Sequence, residues 1–240
     1  AAALRTHVSG AGSDANVAHA CNAAHPCRSF AAALGVTAAG GEILALDSAG
    51  YGKVAIDRSV SIVAAPGVFA GIGVGAGGNA TGVDIAAAGV NVVLRGLTVT
   101  GQGGSHGIRM TGGAALAVEN CVIAGFGGAG QAGIRVSAAA AVRVADSMLR
   151  ENRSGIVLSG GATASVSRSR FHGGEVALEA SDAGGGTTSA TIERSLAEGT
   201  TSAFVAHSAA GAAVRLFVTD STVAHAGTGV LALHGGGGAA

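Results

Sequence analysis

The chain has 240 residues, 43 of them glycine, with 48% hydrophobic and 12% charged residues and 14 formal charges of each sign. Two prolines and unpatterned glycine exclude a collagen helix, the apolar fraction argues against disorder, and no basic patch suggests a nucleic-acid partner. No apolar run approaches the ~18 residues of a membrane helix, so no transmembrane segment is expected.

The start, AAALRTHVSG, reads equally as the remnant of a cleaved secretory signal and as an ordinary terminus. Within it, Leu4 to Val8 reads as a strand. The following stretch, HACNAAHPCRSF, holds Cys21 and Cys27. A close pair in a small-residue loop is expected to form a local disulfide, which places the chain outside the cytosol, extracellular or periplasmic. His19 and His25 interleave with the cysteines, but the order H-x-C-x3-H-x-C matches none of the usual zinc spacings. No metal and no cofactor is expected. Residues 29–39 then predict a short helix, N-capped by Ser29 and ended by Gly40 or Gly41, lying over the first coil as a cap.

From residue 42 the pattern turns to short strands: EILAL, KVAI, VSIV and VDI. A repeat follows. LRGLTV begins at Leu94, VENCVI at Val118, VADSML at Val144, VSRSRF at Val166, IERSLA at Ile192 and VTDSTV at Val218, in steps of 24, 26, 22, 26 and 26 residues. A second element accompanies each copy, starting at Gly107, Gly133, Gly155, Glu175, Ala203 and Gly229. Two recurring registers of short alternating strands, with no room for crossover helices, predict a parallel β-solenoid whose coils stack at about 4.8 Å. Alternation points two columns inward: Cys121, Ser147, Ser169, Ser195 and Ser221, then Ile123, Leu149, Phe171, Ala197 and Val223. Cys121 is expected to be free and buried. Asn120, Asp146, Arg168, Arg194 and Asp220 fall at the preceding turn.

The expectation is one all-β domain over residues 1–240. It comprises an N-terminal strand, Cys loop and cap helix (1–41), coils (42–233) and a flexible glycine-rich tail (234–240). No amphipathic cap follows Leu233, and an uncovered edge is a template for another chain. Val214, Leu216, Val230 and Leu231 would present that edge. Leu4 and Val8 would supply an added strand from a second copy, giving a head-to-tail filament.

These coils resemble right-handed parallel β-helix proteins of the pectate-lyase-like type. The N-terminal pattern VSGAGSDANVAHACNAAHPCRSFAAAL, followed by AAGGEILALDSAGYGKVAIDRSVSIV, is similar to a group of secreted bacterial β-helix proteins of largely unassigned function. The resemblance implies the fold over nearly the whole chain. Activity stays open, because this fold hosts lyases, hydrolases, adhesins and structural spikes.

An enzyme of this type needs clustered carboxylates, for Ca²⁺ or for acid–base work on a glycosidic bond. Glu119 and Glu193 share a column but are separated by Ala145 and Ser167; Arg168 and Arg194 separate Asp146 from Asp220. No catalytic residue is therefore assigned. The leading expectation is a secreted, non-enzymatic structural or adhesive solenoid that associates with itself. The alternative is a polysaccharide lyase, glycoside hydrolase or glycan-binding protein for an acidic polysaccharide. Arg109 and Arg135 occupy the same place in GIRM and GIRV and would hold an anionic group, with Tyr51 and Phe126 as candidate sugar platforms.

Overall fold

A computed structural model describes residues 2–77, 80–184, 186–209 and 211–235. Gly78 and Asn79 lie outside these residues. So do residues 236–240 of the expected tail.

Three parallel sheets wrap one elongated core. Among the described residues, the first sheet has nine strands, from Ala3–Val8 to Ala213–Thr219. The second has eight, from Ala49–Gly50 to Thr222–Ala224, and the third eight, from Val54–Ile56 to Thr228–Gly235. Each strand pairs with its equivalents one coil before and after, so the backbone bonds join coils rather than closing within one. A coil therefore has no stable form alone.

The corners follow from single residues. Asn120, Asp146, Arg168, Arg194 and Asp220 all take left-handed backbone, with φ between 47 and 52°, at the turn from the first sheet to the second. One left-handed residue breaks the strand sharply, and its N–H reaches the next coil, as Asp146 does to the Ser167 carbonyl at 3.1 Å. Such a conformation costs a non-glycine residue about 1–2 kcal/mol, so the neighbouring coils must hold it in place.

Directly after this turn the side chains point inward, as the alternation predicts. Cys121, Ser147, Ser169 and Ser195 are buried. Each serine hydroxyl donates to the carbonyl two residues back, at 2.8–2.9 Å. It also accepts the N–H of the residue above, at 3.2–3.3 Å. Beside this ladder runs the apolar column Ile123, Leu149, Phe171 and Ala197, all buried, whereas Val223, which pairs with Ala197 in the same column, is 37% exposed.

The third sheet is tight where it enters the core. Gly82, Gly107, Gly133 and Gly155 form a column in which an added Cβ would lie 2.5–2.9 Å from the carbonyl oxygen of the next coil. The same column corrects one expected register: Gly155 aligns with Ala177, not Glu175, because Ile156 pairs with Leu178. The 22-residue step from Val144 to Val166 holds in this sheet too.

At the N-terminus the helix is shorter than expected, Phe30–Val36, with Ser29 as its N-cap through a 3.2 Å bond from the Ala32 N–H. Residues 37–41 join the strand Thr37–Ala45 instead, so Gly40 and Gly41 do not end the helix. Thr37 anchors this switch: its hydroxyl reaches the Ala33 carbonyl at 2.7 Å and Thr6 Oγ1 at 2.8 Å. A 3-10 turn at Asp14–His19 was not expected from the sequence.

The strand Ala3–Val8 pairs in parallel with Thr37–Ala45 of its own chain. On its outer side the His7 N–H donates to the Cys21 carbonyl at 2.8 Å, and the Cys27 N–H to the His7 carbonyl at 2.9 Å. The disulfide Cys21–Cys27 closes the loop that makes these bonds. Val8 is buried. This corrects the expectation that Leu4 and Val8 offer a free strand: Leu4 is exposed, but its strand is paired along one side and covered over His7 on the other.

Candidate functional site

The outward column of the third sheet reads Ala55, Asp84, Arg109, Arg135, Val157, Glu179, Val205 and Leu231, one residue per coil. Arg109 and Arg135 are thus adjacent rungs, about 4.8 Å apart along the solenoid. The expected stacking holds, but the two arginines have different partners. Arg109 forms a forked pair with Asp84, 2.9 Å from Nε to Oδ1 and 2.9 Å from Nη2 to Oδ2. That geometry satisfies both groups and holds Arg109 protonated. Arg135 has no carboxylate: its Nη2 donates to the Gly130 carbonyl at 3.3 Å, and its Nε is buried without a hydrogen-bond partner.

His106 completes the cluster. It starts the strand His106–Met110, and its Nδ1 is also buried without a partner. Burial pushes its pKa down to about 4, and the positive charges of Arg135 and Arg109 push the same way against a smaller pull from Asp84. The ring is neutral at pH 7. Lys53, Ala55 and Thr81 join Asp84 and Arg109 around a shallow recess of about 380 Å³. Counting Lys53, Arg109 and Arg135 against Asp84, the patch is basic, with a neutral imidazole at its side. It can hold an oxyanion, because the Arg135 guanidinium is half-buried, keeps an exposed Nη side and has no carboxylate partner among the described residues.

Other carboxylates are held by arginines of neighbouring coils. Glu119 takes Arg95 at 2.7 Å and also Arg143, and both keep its carboxyl below the usual range. Asp146 pairs with Arg168 at 2.7 Å. Among the described residues no three His, Cys, Asp or Glu side chains come together as a metal-binding set. A larger open groove, about 530 Å³, lies on the first sheet over Val93, Ala115, Ala117 and Ala141. Its floor is small and apolar, and its one charged lining residue, Arg143, is already bound to Glu119.

Two expected platform residues are elsewhere. Tyr51 is 1% exposed; its ring packs on Phe30 with centroids 5.1 Å apart, and its hydroxyl donates to Asp47 at 2.5 Å. Phe126 is fully buried, filling space left by Gly101 and Gly107. Neither presents a face to a sugar. Sequence reasoning passed over Asp84 and His106, although aligning Val83 with Ile108 puts Asp84 in the Arg109 column. Of the expected edge residues, Val214 and Leu216 are half-buried against the core, Leu231 is half-buried, and Val230 is 59% exposed. Cys121 is free and buried, its thiol pKa pushed up to about 11 by burial.

Residues 81–239 match the family model described as right handed beta helix region. The structure is similar to the crystal structure of pectate lyase Pel9A, with a TM-score of 0.54 and 14% sequence identity, covering 92% of this chain and 78% of that one. At that identity the likeness carries the fold. No curated protein matches the sequence.

Proposed function

The chain belongs to the right-handed β-helix family, and from that premise we propose that it is a non-catalytic adhesive solenoid that holds an acidic polysaccharide on its third sheet. One observation carries this reading: Arg135, half-buried and without a carboxylate partner, sits one rung from the satisfied Arg109–Asp84 pair and beside neutral His106. The ion pairs that tie Asp84, Glu119 and Asp146 to arginines support the non-catalytic part, since those carboxylates brace coils. The Cys21–Cys27 disulfide supports work in an extracellular or periplasmic setting.

The test is binding of polygalacturonate, alginate and dextran sulfate, each with and without Ca²⁺, to wild type and Arg135→Ala. The expected result is salt-sensitive binding that Arg135→Ala weakens about tenfold, the loss of one charge-assisted contact. Equal binding by the variant removes the site. Unsaturated product or new reducing ends, abolished by a single Asp or Glu change, replace the reading with an enzyme.

Self-association is a second reading, carried by the exposed Val230 on the last described coil. Light scattering of wild type and Val230→Lys tests it: a concentration-dependent rise in mass that the variant loses supports it, and identical monomers end it.

A further inference from the structure

The outer face of the second sheet, at its first rungs, has side chains that neither the fold nor the basic patch uses. Phe69 is 52% exposed. Its ring lies against Gly71, where an added Cβ would fall 2.8 Å from a ring carbon. Gly50, one rung before Gly71, also has no side chain. One rung after, Thr98 aligns with Gly71 and Thr100 with Gly73. Both threonines point outward, between buried Leu97 and Val99 and beyond. Gln102 reaches back over Gly73, its side-chain oxygen 3.4 Å from where a Cβ would be.

Two glycines thus clear room for a ring and an amide that lie flat on the sheet. The side chains of Thr98, Thr100 and Gln102 make no hydrogen bond among the described residues. None of the strands Ala49–Gly50, Ala70–Gly75 and Leu97–Gln102 carries a charged residue. Arg28 is turned to the Gly50 carbonyl at 2.6 Å.

We propose that Phe69, Thr98, Thr100 and Gln102 form a binding site for a neutral sugar ring. A pyranose has an apolar C–H face that stacks on an aromatic ring and a rim of hydroxyls that need donors and acceptors. Phe69 supplies the first. The threonines, about 6.6 Å apart along one strand, and Gln102 supply the second. The absence of charge on these rungs disfavours an anion, and the polar surround disfavours a purely apolar protein segment. The site shares no residue with the basic patch and does not depend on it.

The experiment titrates uncharged cellohexaose, xylohexaose, mannohexaose and maltohexaose into the isotopically labelled protein. Backbone amide shifts are followed in wild type, Phe69→Ala, Thr100→Val and Phe217→Ala. Phe217 is the control, since it is 57% exposed on another face. The expected result is that at least one oligosaccharide moves the amides of Gly71, Thr98 and Thr100. Phe69→Ala is expected to weaken it about five- to tenfold, the worth of one aromatic contact. Thr100→Val should weaken it less, and Phe217→Ala should leave it unchanged. Phe69 lies on the surface, so its variant should keep the wild-type amide spectrum elsewhere. Absence of shifts with all four sugars, or equal binding by Phe69→Ala, overturns the site.

Discussion

Replacing Ser169 with alanine removes the middle rung of the buried ladder. Its hydroxyl donates to the Ser167 carbonyl at 2.9 Å and accepts the Ser147 N–H at 3.3 Å. The two partners fare differently. The Ser167 carbonyl keeps a second donor, the Asp146 N–H at 3.1 Å. The Ser147 N–H is left buried with none. Leaving one buried group unsatisfied costs about 1–3 kcal/mol, which in a chain of this size lowers the melting temperature by about 2–12 °C. Ser221 makes the matching bonds on the last rung, but it is only half-buried, so water can replace its hydroxyl. Ser221→Ala should therefore cost well under half as much. Ser169→Cys should also be milder than alanine, because Cys121 occupies the same place one rung above Ser147 and its thiol bonds the Glu119 carbonyl at 3.3 Å. Thermal melts followed by circular dichroism compare the four proteins. Equal melting of Ser169→Ala and Ser221→Ala, or no shift in either, would refute the ladder as a source of stability.

Gly107→Ala should be strongly destabilising, since its Cβ would lie 2.6 Å from the Gly133 carbonyl and 2.8 Å from Ile123. Gly35→Ala should stabilise by about 0.5–1 kcal/mol in the same melts, because the position is helical and nothing lies within 4 Å. Replacing both Cys21 and Cys27 with serine frees a six-residue separation and should cost about 2 kcal/mol in denaturant unfolding. On wild type, thiol labelling should find no reactive group until unfolding exposes Cys121. His106 has its folded pKa depressed to about 4, below the usual ~6.5 of the unfolded chain. Its contribution is full above about pH 6.5 and declines as pH falls towards 4. Asp47, Glu119, Asp146 and Asp182, all held low by hydrogen bonds, should lose theirs only at more acid pH. Stability against pH in wild type and His106→Gln checks this: the variant should lose the slope between pH 4 and 6.5 and keep the acid fall.

The solenoid was legible because stacking coils repeat their chemistry. The VENCVI-type copies place a turn residue, a small inward residue and a larger inward residue in fixed order, and each column is found where the pattern puts it. The register at Glu175 slipped by two because Val176 and Leu178 alternate as well as any aligned pair, and only the ladder decides between them. The helix was extended too far because Thr37, Ala38 and Ala39 carry no helix-breaking signal, while sheet pairing already begins at Thr37. Tyr51 and Phe126 were misplaced for a related reason. An aromatic in a glycine-rich loop looks exposed, whereas Phe126 fills space left by Gly101 and Gly107 and Tyr51 packs on Phe30. The basic patch was half legible: Arg109 and Arg135 share a motif position. Asp84 comes from an irregular earlier coil, and the burial of His106 depends on packing that no local pattern records.

The central functional claim rests on Arg135, whose guanidinium has no carboxylate partner among the described residues. The direct measurement follows the Arg135 Nε–H resonance by NMR as trigalacturonate is added, with cellohexaose as the uncharged control. The account predicts a saturable shift of that resonance with the acidic sugar, accompanied by Gly130 and His106, suppressed by salt and absent with the neutral one. An Arg135 Nε–H that stays in place while trigalacturonate binds elsewhere, or that moves equally with both sugars, would contradict it.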